Sequence, residues 1–134
     1  MTFFMPMNDS EMRAMLIEYM GNGFLENIIA MLKQDSLLYR FIPDLLGDDN
    51  LRVRLGATAL VEELVAEHRE EFAAAVPGII GLLKHENPTI RGDAASALGI
   101  IKDASAIDAL RICLNDGHPG VREVARDALE EIDR

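Results

Sequence analysis

A chain of 134 residues, 49% of them hydrophobic, can bury one continuous core and is too short for two ordinary domains. With 23 acidic against 13 basic residues the net charge is -10, which argues against a general affinity for nucleic acid or anionic membrane, since both rely on clustered Lys and Arg. The single cysteine, Cys113, rules out an internal disulfide and fits a reducing, cytoplasmic compartment.

The opening segment, MTFFMPMNDS, has no basic region before its short apolar run and no apolar stretch long enough for a signal sequence, so secretion is not expected. Met1 to Met7 has no periodicity and is expected to be a loose or packed-down arm. Asn8, Asp9 or Ser10 then offers a side-chain oxygen to cap a helix. That helix carries Met12, Met15, Leu16 and Tyr19 on one face and ends at Gly21-Asn22-Gly23. A second helix follows, with Leu25, Ile28, Ile29 and Leu32 at helical spacing. Residues 8–36 thus read as one helix pair. All seven methionines (Met1, Met5, Met7, Met12, Met15, Met20 and Met31) lie in this first quarter with Phe3, Phe4, Tyr19 and Phe24. Unbranched thioethers repack easily, so the cluster reads either as a bulky end cap or as an adaptable surface for a partner or a second copy.

Three related units follow, over 37–72, 73–103 and 104–134. The clearest copy is NPTIRGDAASALGII, Asn87 to Ile101, and it returns as HPGVREVARDALEEI from His118 and more loosely as NLRVRLGATALVEEL from Asn50. Each unit is an outer helix, a tight corner and an inner helix. The outer helices place Ile42, Leu45 and Leu46, then Ile79, Leu82 and Leu83, then Leu110, Cys113 and Leu114 toward the core. The inner helices place Val53, Ala57, Leu60, Val61 and Leu64, then Ile90, Ala94, Ala97, Leu98 and Ile101, then Val121, Ala125, Ala128, Leu129 and Ile132. Pro43 fits near the start of the first outer helix or kinks it, and Pro88 and Pro119 fit first turns, where a missing N–H costs nothing. Arg91 and Arg122 are 31 positions apart, but Arg54 and Arg91 are 37 apart, so six extra residues extend the first inner helix or its exit through Glu67 to Phe72. An isolated helix pair cannot bury its apolar stripe, whereas stacked pairs share one core, with an atypical pair closing the end.

The corner followed by IRGDAASAL or VREVARDAL resembles HEAT repeats, in particular the short HEAT-like class of phycobilin lyases and many prokaryotic proteins. The resemblance covers Leu37 to Arg134 and implies an all-α fold, an α-solenoid of about four antiparallel helix pairs. It also implies a structural ladder in which the inner-helix arginine meets a corner aspartate, here Asp48 with Arg54 and Asp116 with Arg122. In the middle unit His85 stands opposite Arg91, with Glu86 as a possible substitute acid. An anion-binding row is the other reading of Arg54, Arg91 and Arg122.

Some HEAT-like proteins are di-iron hydroxylases with His-Glu pairs early in the inner helices. The matching positions here are Leu55-Gly56, Gly92-Asp93 and Glu123-Val124, and none is such a pair. His85-Glu86 is a lone corner dipeptide, and His68 and His118 lack ligand spacing, so no metal or other cofactor is expected. DNA-lesion glycosylases of this fold resemble basic grooves, whereas this chain is acidic. Cys113 aligns with Leu45 and Leu82, as a buried, unreactive thiol would.

Helices of this class present their inner row on the concave side. At 100° per residue the side of the middle inner helix opposite its core face is Gly92, Ser96 and Gly99. Its counterparts are Leu55, Ala59 and Glu62 in the first unit and Glu123, Asp127 and Glu130 in the third, with Glu63 and Glu131 on the flanks. The candidate binding face is therefore Glu62, Glu63, Gly92, Ser96, Gly99, Glu123, Asp127 and Glu130, read either as a shallow acidic groove for a helix or a segment bearing Lys or Arg, from a basic or apolar protein partner, or as a solvated face that keeps the protein soluble. The expected function is a non-enzymatic interaction module or accessory subunit. The alternative, by resemblance to the phycobilin lyases, is a lyase-like or cofactor-maturation enzyme.

Overall fold

The computed structural model describes residues 6–134, and these form eight α-helices. An N-terminal pair, α1 (Asp9–Gly21) and α2 (Leu25–Gln34), precedes three further pairs. These are α3 (Ile42–Leu46) with α4 (Leu51–His68), α5 (Val76–Leu82) with α6 (Pro88–Ile101), and α7 (Ile107–Cys113) with α8 (Pro119–Asp133). The inner helices α4, α6 and α8 lie side by side, and each outer helix packs on the inner helix of its own unit. Short 3-10 segments, Ser36–Phe41, Arg69–Ala74 and Ala104–Ala106, lead into the outer helices.

The helix starts follow from their side chains. Asn8 caps α1 in a reciprocal capping box with Glu11: its Oδ1 accepts the Glu11 N–H at 2.8 Å. The three corners repeat one hydrogen-bond pattern. Asp48, His85 and Asp116 each accept the backbone N–H two residues on, at Asn50, Asn87 and His118. Those three residues then cap the inner helices by accepting from Arg52, Thr89 and Gly120. A histidine nitrogen thus does at position 85 the backbone task a carboxylate does at 48 and 116.

The buried residues form one core through the stack, including Ile28, Leu32, Leu45, Leu60, Leu64, Ile79, Leu98 and Leu110. Each such side chain contributes about 1.5–3 kcal/mol relative to exposure. Close approach is built into the outer layer: a Cβ at Gly78 would lie 2.6 Å from Pro43 Cγ, so α3 and α5 meet where a side chain is missing. At the N-terminal end Met20 is buried against Gly56, and Met12, Met15 and Met31 pack half-buried on the core. These four methionines fill the end of the stack. Met1, Met5, Phe3 and Phe4 lie outside the described residues. Tyr19, expected on the core face of α1, is instead 39% exposed with its ring edge-on to Phe24, because Leu16 and Met20 take the inward direction. Leu114 is likewise exposed, since α7 ends at Cys113.

The extra length of the first repeat lies where the spacing places it. α4 runs four residues longer than α6, and Arg69–Ala74 follows as a 3-10 segment. Phe72 from that segment is fully buried, edge-on to Tyr39 at 5.0 Å. Tyr39 is also fully buried, and its hydroxyl has no partner among the described residues. Burial, with the Glu71 charge adding to it, pushes the Tyr39 phenol up to about 12. Arg69 donates to the carbonyls of Ile100 and Ile101 at 2.9 and 2.6 Å, capping the C-terminal end of α6 from the neighbouring unit.

Candidate protein-binding face

The arginine ladder positions the inner helices, and its wiring differs from the sequence reading. Arg54 and Arg122 do not meet the carboxylates of Asp48 and Asp116. Arg54 Nη1 donates to the backbone carbonyls of Asp48 and Asp49 at 2.7 and 2.9 Å, and Arg122 Nη1 to that of Asp116 at 2.7 Å. The corner side chains are turned to the amides two residues on, which leaves their carbonyl oxygens for the arginine of the same unit. The carboxylate contact crosses between units instead. Arg91 holds its own corner through the His85 and Glu86 carbonyls and reaches forward to Asp116 through Nε and Nη2, both at 2.9 Å. This two-pronged contact from Arg91, with the His118 amide, holds the Asp116 carboxyl below the usual carboxylate range.

His85 therefore does not weaken the rung at Arg91. By repeat register His85 holds, relative to Arg54, the corner position that Asp116 holds relative to Arg91. Arg54 is only 9% exposed, and its Nε has no partner among the described residues. Asp93 lies near enough to feel Arg54, yet burial outweighs that charge and raises the Asp93 carboxyl.

The open side of α6 lies between α4 and α8. Ser96 is exposed there, and a Cβ on Gly92 would meet nothing within 4 Å. Gly99 is different: it is buried, and a Cβ there would come within 2.8 Å of Ala128 Cα. Gly99 is thus the contact on which α6 and α8 close, not part of a bare outer face. The helical phase of α6 alone does not reveal that α8 lies across Gly99.

Two shallow hollows run along the α6–α8 seam. One, of about 330 Å³, is bounded by Thr89, Gly92, Asp93, Ser96, His118 and Val124, among others. The next, of about 210 Å³, shares Ser96 and Val124 and adds Asp127 and Glu131 over the Gly99–Ala128 contact. Of the eight residues of the sequence-derived face, Gly92, Ser96, Gly99 and Asp127 come together along this seam. Glu62, Glu63 and Glu123 are exposed but border neither hollow. Glu130 turns to the other side of α8, where it lines a hollow of about 510 Å³ with Arg126, Leu129 and Ile132. The reason is helical phase: Glu131 follows Asp127 by one turn on the α6 side, whereas Glu130 is rotated away. Asp93, Val124 and Glu131 complete the seam, and the i+3, i+4 spacing of Val124, Asp127, Ala128 and Glu131 is the signal that marks them.

Further along the inner row, a hollow of about 320 Å³ lies between the α1–α2 turn and α4, lined by Met20, Leu25, Arg52, Leu55 and three glycines. Leu55, the counterpart of Gly92 and Glu123, is 61% exposed there. Cys113 is buried, and that burial raises its thiol, with the Asp116 charge adding to the effect. The thiolate, the form that reacts, is disfavoured there. Among the described residues no helix is long and apolar enough to cross a membrane.

Stacked two-helix units with a continuous core, repeated corners and an exposed inner row define an α-solenoid. The profile of the family described as HEAT repeats matches residues 40–130, and the chain belongs to that family. HEAT repeats are commonly protein-interaction or scaffold modules. No curated protein matches the chain.

Proposed function

We propose that the chain is a non-enzymatic protein-interaction module or accessory subunit of the cytoplasm, and that the α6–α8 seam receives a segment bearing Lys or Arg. The observation that supports this is the pairing of room with charge: Gly92 and Ser96 leave the seam open, and Asp93, Asp127 and Glu131 border it. A cationic segment lying there would meet carboxylates on both flanks, which gives orientation and association rate as much as affinity. Glu131 also touches Arg134 at 3.4 Å, but an exposed pair of this kind contributes little and gives way to a partner's charge.

The test is affinity purification from the native host with two doubly reversed variants. Asp127→Lys with Glu131→Lys should lose the partner that the unchanged chain captures, while Glu26→Lys with Asp108→Lys, on exposed positions away from the seam, should keep it. Equal capture by both variants would contradict the reading.

A further inference from the structure

The inner row is chemically graded along the stack, and the grading describes a partner more closely than its charge alone. At the α4 end the hollow, of about 320 Å³, carries no carboxylate: Leu55 stands out beside Leu25 and Met20, with Arg52 among the lining residues. At the α8 end the row is acidic, with Asp127 and Glu131. Between them Gly92 and Ser96 place no bulk in the way. Resting on the reading of the seam as a protein-binding groove, we infer that the bound segment is bipartite. An apolar side chain seats beside Leu55, and Lys or Arg side chains meet Asp127 and Glu131.

Arg52 sets which half seats at which end of the groove, whichever way the chain runs. It lines the hollow at the α4 end, so a cationic residue placed there meets a like charge, whereas at the α8 end it meets carboxylates. Packed helices lie about 8–10 Å apart, so crossing from α4 to α8 spans on the order of 16–20 Å. An extended chain covers that in about five or six residues at roughly 3.3 Å each. An extended segment suits the surface better than a helix, because hollows of about 210 to 330 Å³ take single side chains and a helix with its side chains is about 10–12 Å wide. The occupant is thus an extended stretch of another protein, with one Leu or Phe anchor separated by about five residues from a Lys or Arg pair.

The probe is a set of synthetic peptides titrated into the isotope-labelled full chain and followed by amide chemical shifts. One peptide carries a Leu anchor, a five-residue Gly-Ser spacer and two lysines; another has the reverse order; two more carry the anchor alone and the lysines alone. In one of its two orders the bipartite peptide should shift the amides of Leu55 and Gly56 together with those of Val124, Asp127 and Glu131. It should bind at least tenfold tighter than either half. Leu55→Ser, at an exposed position that folding does not depend on, should reduce it to the affinity of the lysine half. If the lysine half binds the α8 end as tightly as the bipartite peptides and Leu55→Ser changes nothing, the bipartite inference is overturned while the acidic-groove reading stands. If no peptide moves the α6 and α8 amides at millimolar concentration, both are overturned.

Discussion

Gly92 and Gly99 sit two turns apart on α6, and the sequence assigns them one role. Their surroundings separate them. Around a Cβ at Gly92 there is open space, while at Gly99 the neighbouring backbone of α8 already occupies the place. Opposite signs are therefore expected for one chemical change. Gly92→Ala should raise stability by about 0.5–1 kcal/mol through helix propensity alone. Gly99→Ala should lower it by about 1–3 kcal/mol, since the atom in the way is main chain and α8 as a whole would have to move. Urea denaturation midpoints of the two variants check this, and a loss at both positions would mean that Gly92 is covered. The sequence carries the small size of both residues; which of them a neighbouring helix covers depends on how α6 and α8 cross, and no residue within α6 encodes that.

Among the helices and their corners, stacking depends on how the arginine of one unit reaches the next. Arg91 and Asp116 make the one carboxylate rung among the described residues, and Arg54 Nε has no such partner; by repeat register the equivalent corner position is His85. Asp at 85 can keep the bond to the Asn87 amide, as Asp116 keeps its bond to His118, and can add an anionic acceptor for Arg54. His85→Asp is therefore expected to stabilise the protein by about 1–3 kcal/mol, the usual effect of satisfying a buried donor with a charged acceptor. The sign with pH follows from Asp116, whose carboxyl is lowered by the same contact. The gain should be full above the unfolded carboxyl value of about 3.9 and should disappear as pH falls through the lower folded value. Thermal melts across that range provide the measurement; a variant no more stable at pH 7 would mean that Arg54 is already served. The repeat spacing made the arginine column and its corners legible. It did not show whether a corner acid faces its own unit or the preceding one, because both contacts use the same pair of columns. The six additional residues after α4 were equally visible as length, but their use was not. Phe72 plugs the core against Tyr39, and Arg69 caps α6.

For the whole molecule, the repeat pattern carried the architecture because each unit satisfies the same constraints: an apolar stripe, a capped corner and small residues at the helix contacts. The binding face was only half legible. Gly92, Ser96 and Asp127 lie on it as expected, whereas Glu130 turns to the far side of α8 and Glu131 takes its place. A wheel drawn on a single helix cannot resolve that one-residue step, since it depends on where the neighbouring helix lies. The central claim is that the seam between α6 and α8 is where this protein meets its partner. Amide hydrogen exchange of the chain, free and in complex with the captured partner, tests it most directly. Protection is expected in residues 89–99 and 120–131, while α3, α5 and α7 on the outer layer exchange as before. Protection confined to the outer helices, with the seam unchanged, would contradict it.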